Sequence, residues 1–185
     1  RRAVAGGGVR RRTRPVAAVL AGGGVRARCH PCLAAGEAKR VRCSAWAHAR
    51  YCSAAWQRRA WGTHKPECAM LRVGRPRVPG ATALLLARGL QLPPAGDGRD
   101  GAPWERSSAG LLSLRSQLAH QPEARRRELG EHAARLCSLV GAARDGGAAL
   151  APPPAGSLGA ELLGRVAVNG HTICDEGLAE VGTGR

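Results

Sequence analysis

Apolar residues recur at helical spacing through much of the second half of the chain. Residues 81–90 are an almost unbroken apolar run behind Pro79-Gly80 and predict a buried helix. Residues 107–120 place Leu111, Leu114 and Leu118 on one face, and residues 122–140 do the same with Leu129, Ala133, Leu136 and Leu139/Val140. The two stretches read as an antiparallel helical hairpin. Pro122 suits the first turn of the second helix, and Glu123 suits the positive end of its dipole. Upstream, Val16-Ala17-Ala18-Val19-Leu20 lies between the triplets Gly6-Gly7-Gly8 and Gly22-Gly23-Gly24, which predicts turn, short buried strand, turn. Ser53 is placed to cap a helix running to about Trp61. Residues 91–103 read as a polar loop. Residues 141–159 read as a linker, since Pro152-Pro153-Pro154 cannot continue a helix. A short helix over about 158–168 and one or two helical turns over 176–181 complete the expected elements.

At 185 residues the chain has room for one ordinary domain or two small ones. With 26 Gly, 12 Pro, one Tyr and no Phe it has few large side chains for a core, so weak stability is expected. The 29 basic against 13 acidic residues give a net charge of +16, a field that attracts polyanions, DNA included, without reading their sequence. No apolar run is long enough for a membrane span, and the Arg-rich start lacks the apolar stretch of a signal peptide. No membrane association is expected, and the chain is expected to be soluble and intracellular.

Seven cysteines are an odd number, and five of them fall between Cys29 and Cys68 among histidines, a clustering that favours metal over disulfides. Zinc takes four soft or borderline ligands in a tetrahedron, and closely spaced pairs supply two each. Cys29-x2-Cys32, Cys43, Cys52 and His64-x3-Cys68 offer six ligands, which leaves two positions short of two complete sites. Trp46 and Trp56 stand in those positions, and indole has no lone pair for zinc. His120, His132 and His171 have no partner at ligand spacing and read as exposed or core-edge residues. Cys137 and Cys174 read as packed, and Arg125-Arg126-Arg127 as a solvated helix face.

The segments Arg42-Cys43-Ser44-Ala45-Trp46, Tyr51-Cys52-Ser53-Ala54-Ala55-Trp56-Gln57 and Trp61-Gly62-Thr63-His64-Lys65-Pro66-Glu67-Cys68 resemble the MYND zinc finger, which has Cys where this chain has Trp46 and Trp56. The resemblance implies interleaved ligands: Cys29, Cys32 and Cys52 on one ion, Cys43, His64 and Cys68 on the other. Each ion would then have three protein ligands, with His48 expected near one vacancy and His30 near the other. Trp61 resembles the aromatic that covers the zinc sites.

The flanks widen the resemblance. Pro76-Arg77-Val78-Pro79, the helical region, Val168-Asn169-Gly170-His171-Thr172-Ile173-Cys174-Asp175-Glu176 and Glu180-Val181-Gly182-Thr183-Gly184 run collinear with the SET and MYND domain (SMYD) protein-lysine methyltransferases, the last pieces most like the third member. This implies an α+β fold in which a small zinc-bound finger is inserted in a split SET domain, with a helical connecting region. The expected division is 1–28 as an incomplete N-terminal SET segment, 29–68 as the finger, 69–156 as a helical SET-I-like region and linker, and 157–185 as the start of the core SET segment. It also implies methyl transfer from S-adenosyl-L-methionine to lysines of histones or other proteins, structural zinc, and a place in nucleus and cytoplasm. Gly6-Gly7-Gly8-Val9-Arg10 resembles the family's Gly-x-Gly-Leu-Arg cofactor turn, making Gly7, Gly8 and Arg10, with Asn169, the expected cofactor contacts. A glycine turn lets backbone N–H groups approach the cofactor's polar end, and an amide both donates and accepts. The family's Asn-His-Ser-Cys segment and catalytic Tyr would follow the Gly182-Thr183-Gly184 turn, and are expected beyond Arg185. No catalytic residue is therefore assigned, and no turnover is expected from these residues alone. MYND fingers also dock proline-rich peptides, and Arg58, Arg59 and Lys65 would ring such a groove with charge. Enzyme segment, interaction module and nonspecific DNA binder are thus the three readings.

Overall fold

A computed structural model describes residues 17–20, 24–36, 39–92, 108–148, 157–174 and 180–184. Strand β1 (Ala18–Leu20) is followed by a single turn, α1 (Gly24–Ala27), and by the finger hairpin β2 (Val41–Arg42) and β3 (Arg50–Tyr51). Four helices of unequal length follow: α2 (Ala54–Val73), α3 (Ala81–Leu90), α4 (Ser108–Leu112) and, after a 3-10 turn at Leu118–His120, α5 (Glu123–Asp145). Helix α6 (Ser157–Asn169) leads into β4 (His171–Cys174) and β5 (Glu180–Gly184). The sheet order β1-β5-β4 is antiparallel throughout, with Val19 opposite Thr183 and Thr183 opposite Thr172. Mixed helix with little strand is what the described residues contain, and no helix among them is long and apolar enough to cross a membrane.

Helix α3 matches the apolar run residue for residue, and five of its side chains, Ala83 to Ala87, are buried. Helix α5 buries Leu129, Ala133, Leu136, Val140 and Ala143 at alternating steps of four and three, the stripe expected of one buried helix face. It runs five residues past Val140, so the start of the expected linker is helical; residues 149–156 lie outside the described set. Ser53 caps α2 as predicted, its Oγ accepting from the Trp56 N–H at 3.3 Å. The helix continues to Val73, twelve residues beyond Trp61 and across Pro66. An interior proline costs about 3 kcal/mol. Burial of His64, Glu67, Cys68, Met70 and Leu71 on one side of α2 outweighs it.

The expected hairpin of 107–120 against 122–140 does not form. Only Ser108–Leu112 is α-helical, and the chain then breaks at residues 113–117. Serines there bond locally: Ser113 Oγ donates to Gly110 O at 2.8 Å, Ser116 Oγ accepts from Leu118 N–H at 3.3 Å, and Gln117 has a left-handed φ of 51°. These bonds compete with the helix ladder. Helix α5 packs instead on α6 and α2. Leu111 packs on α3 at Gly89, where a β-carbon would lie 2.7 Å from Leu111 Cδ2. The helical turns expected over 176–181 are also absent where described: Glu180–Gly184 is strand β5, paired on both edges.

One apolar cluster joins Leu84 to Leu86 of α3, Leu129 and Leu136 of α5, Leu162, Leu163 and Val166 of α6, Met70 and Leu71 of α2, and Val19 of β1. Cys43, Tyr51 and Cys68 belong to it too, so the finger is continuous with the helical core. Leu136 is 1% exposed at its centre. Truncation to Ala is expected to cost about 2–5 kcal/mol in urea unfolding; a loss under about 1 kcal/mol would mean that this cluster is not the core.

Candidate metal centre

Local turns bring the ligands together. Leu33 N–H bonds Cys29 O at 2.8 Å and Cys29 N–H bonds Ala34 O at 3.0 Å, with Leu33 left-handed at φ 60°, so Cys29 and Cys32 sit on one tight loop. The Cys52 N–H points at Cys29 Sγ, 3.4 Å away. Cys43 N–H closes the β2–β3 loop on Ala49 O at 3.0 Å. His64 and Cys68, one turn apart on α2, project from the same helix face and are both buried.

Two triads result: Cys29, Cys32 and Cys52, and Cys43, His64 and Cys68, with ligand atoms in each within 4.8 Å of one another. The Sγ atoms of Cys32 and Cys52 are 3.7 Å apart and those of Cys43 and Cys68 3.8 Å. A disulfide needs about 2.05 Å. Two thiolates sharing a tetrahedral zinc at about 2.3 Å are separated by one tetrahedral edge, about 3.8 Å. The thiols therefore stand at zinc spacing, and both His64 nitrogens are buried without a hydrogen-bond partner. The donor set fits the ion.

The thiols of each triad are biased in opposite directions. Burial pushes Cys29 up to about 11. Burial, then the neighbouring Cys43, pushes Cys68 up to about 12. Burial acts in the same sense on Cys43, but the Trp46 N–H and the His64 imidazole prevail and hold it below its ordinary value. For Cys52 slight burial is outweighed by bonds from Cys29, Cys32 and Arg40. Each triad thus holds one favoured thiolate and one suppressed one. Like charges cannot both ionise at this spacing until a cation joins them.

The positions occupied by Trp are filled by packing. Trp46 is buried and stacks on His48 with centroids 4.4 Å apart and planes 5° from parallel; the Arg75 guanidinium lies 5.6 Å from its ring. Burial, then His30, drops His48 to about 4. His30, expected beside the first triad, turns instead toward Glu67, with Nε2 3.5 Å from Oε2. Trp61 is 39% exposed, with its ring centroid 6.0 Å from that of His64.

Sequence reasoning missed Glu67, Arg88 and Arg40. Glu67 is buried, and Arg88 of α3 donates to both its oxygens, Nε to Oε1 at 3.0 Å and Nη2 to Oε2 at 2.9 Å. Burial opposes ionisation of Glu67, yet Arg88 and the two histidines hold it well below the usual carboxylate range. Arg88 also donates to Ala18 O of β1, tying finger, helix and sheet. Arg40 bonds Cys52 Sγ at 3.2 Å, Ala34 O at 2.9 Å and Ala27 O at 3.2 Å. The position of Glu67, three residues after His64 on the ligand helix, was an available signal; the 21-residue separation of Arg88 offered none.

Of the expected cofactor contacts, Gly7, Gly8 and Arg10 lie outside the described residues. Arg185, beyond which the catalytic residues are expected, lies outside them as well, and the described part of that end stops with Gly184 in β5. Asn169 ends α6, and its Nδ2 donates to Arg115 O at 2.9 Å and Arg165 O at 2.8 Å. Both amide hydrogens are thereby used, which leaves only Oδ1 to accept.

The MYND finger family matches residues 29–68. The chain is 32% identical over 151 residues to human "Histone-lysine N-methyltransferase SMYD3", covering 80% of this chain and 33% of that protein. The mouse protein of the same name is 30% identical over 150 residues, with the same coverage. The chain spans about a third of the length of the curated relatives it matches.

Replacing Trp46 and Trp56 by Cys is expected to complete both tetrahedra. Zinc affinity, measured by chelator competition, should rise at least about tenfold, or about 1.4 kcal/mol. Unchanged affinity would mean that the indoles do not occupy ligand positions.

Proposed function

We propose, for a chain that is related to the SMYD family and carries its MYND finger, a part in S-adenosyl-L-methionine-dependent methyl transfer to lysines of histones or other proteins, with the zinc-structured finger as the partner-docking element. The methyltransferase half of this reading is supported by the names of the relatives and by collinear motifs on both sides of the finger. Cofactor contacts at Gly7, Gly8, Arg10 and Asn169, the split SET arrangement, and a place in nucleus and cytoplasm belong to the same proposal.

One observation supports docking. A cleft of about 700 Å³ beside the first triad is lined by Pro31, Tyr51, Trp56, Arg59 and Thr63 among others. Trp56 is half-buried, with the Arg59 guanidinium 5.4 Å from its ring. An aromatic wall beside a basic rim suits a proline-rich segment, whose extended helix is ordered before it binds. The ions would hold the loop carrying Pro31 and the start of α2 in register, so the cleft would exist only while the finger is loaded.

Titrating a proline-rich peptide should shift the Trp56 indole resonance, and Trp56→Ala should weaken binding by about 2 kcal/mol, roughly thirtyfold. No shift anywhere in residues 29–68 would refute the docking reading. Nonspecific binding to nucleic acid is a second reading, favoured by the net charge of +16. It predicts a linear fall of log affinity with log salt concentration and equal affinity for unrelated sequences; a flat salt dependence would rule it out.

A further inference from the structure

His64 belongs to a second group besides the thiolate triad. His30, His64 and Glu67 are buried, with ligand atoms all within 4.8 Å of one another. Glu67 Oε2 lies 3.5 Å from His30 Nε2 and 3.5 Å from His64 Nδ1. That is longer than an ordinary N–H···O bond of about 2.7–3.2 Å. All four ring nitrogens of the two histidines are buried without a hydrogen-bond partner. An unsatisfied buried polar group costs about 1–3 kcal/mol, so the two nitrogens that face Glu67, His30 Nε2 and His64 Nδ1, call for an occupant. The 3.5 Å spacing is close to the edge, about 3.4 Å, of a tetrahedron built on zinc–nitrogen and zinc–oxygen bonds of about 2.0–2.2 Å.

The surroundings suit an ion. Arg88 hydrogen-bonds both oxygens of Glu67, the outer support that metal-bound carboxylates receive. Oε2, which accepts from Arg88 Nη2 at 2.9 Å, also faces the two imidazoles. The 700 Å³ cleft reaches His30, His64 and Arg88, which gives a route in and room for a water as fourth ligand. With Trp46 in place of a cysteine, the thiolate position on Cys43, His64 and Cys68 also has three protein ligands, so neither set outnumbers the other.

We infer that His30, His64 and Glu67 form a nitrogen–oxygen position for a borderline divalent ion such as zinc, alternative, through the shared His64, to the thiolate position on Cys43 and Cys68. The inference rests on the finger binding metal, and the Cys29, Cys32 and Cys52 triad reports on that separately.

Cobalt(II) titration of the whole chain tests it, because thiolate-bound cobalt gives near-ultraviolet charge-transfer absorption and a nitrogen–oxygen site gives only visible ligand-field bands. The Cys43→Ser/Cys68→Ser variant is expected to keep a second equivalent of cobalt that adds no charge-transfer intensity. Adding His30→Ala should remove that equivalent. A double variant that binds a single equivalent overturns the inference and shows Glu67 to be only an acceptor for the two imidazoles. Should circular dichroism show the double variant unfolded, His30→Ala alone decides. Charge-transfer intensity for the second equivalent should rise as the ion is confined to the thiolates, and an unchanged spectrum overturns the inference. A wild-type chain that takes up no cobalt refutes the metal reading of the finger and this inference together.

Discussion

A buried carboxylate organises this molecule. Glu67 is 4% exposed, one residue before Cys68 and three after His64, both members of the second triad. An ionised carboxylate out of water is tolerated only with a counter-charge and hydrogen bonds. Arg88 supplies both, and to do so α3 must lie against α2 with its guanidinium aimed into the finger. The same guanidinium reaches Ala18 O, which fixes β1 and through it the pairing with β5. One ion pair thus links three segments far apart in sequence. Removing either partner would leave a buried charge unpaired, a larger effect than the pair's own net contribution.

Around that pair the finger crowds thiols whose thiolates would repel one another, a charge that a divalent cation would offset. The triads crowd thiols at about one tetrahedral edge, and in each one thiol is pushed up while another is pulled down. With two-residue strands and few large side chains, the finger has little apolar burial of its own beyond Tyr51 and Trp46 and what it borrows from Met70 and Leu71. Metal affinity is then folding free energy, and each Trp in a ligand position subtracts from it. Helix α2 joins the finger to the helical core, since it buries His64 and Cys68 together with Met70 and Leu71.

Much of this was legible in the sequence where short-range chemistry decides. Spacing picked out the six candidate ligands and the resemblance to the MYND finger implied their grouping, Ser53 announced its helix, and the apolar patterns of α3 and α5 set their buried faces. What failed was decided by tertiary context or by competing local bonds. Pro66 does not end α2, because burial on both sides of it holds the helix. Leu111, Leu114 and Leu118 have helical spacing, yet Ser113 and Ser116 take backbone partners and break the segment. Glu180 and Val181 read as the end of a helical segment over 176–181 and lie instead in strand β5, because β1 and β4 offer two edges to pair with. The Glu67–Arg88 pair has no local signature at all.

Zinc X-ray absorption on the purified whole chain, with metal content measured on the same sample, tests the central claim most directly. Two ions held by the ligand sets described here predict two zincs per chain and a first shell rich in sulfur at about 2.3 Å, mixed with lighter ligands at about 2.0–2.1 Å. Substoichiometric zinc with an oxygen-only shell would contradict the account, because the thiols would then be packed side chains and not a metal centre.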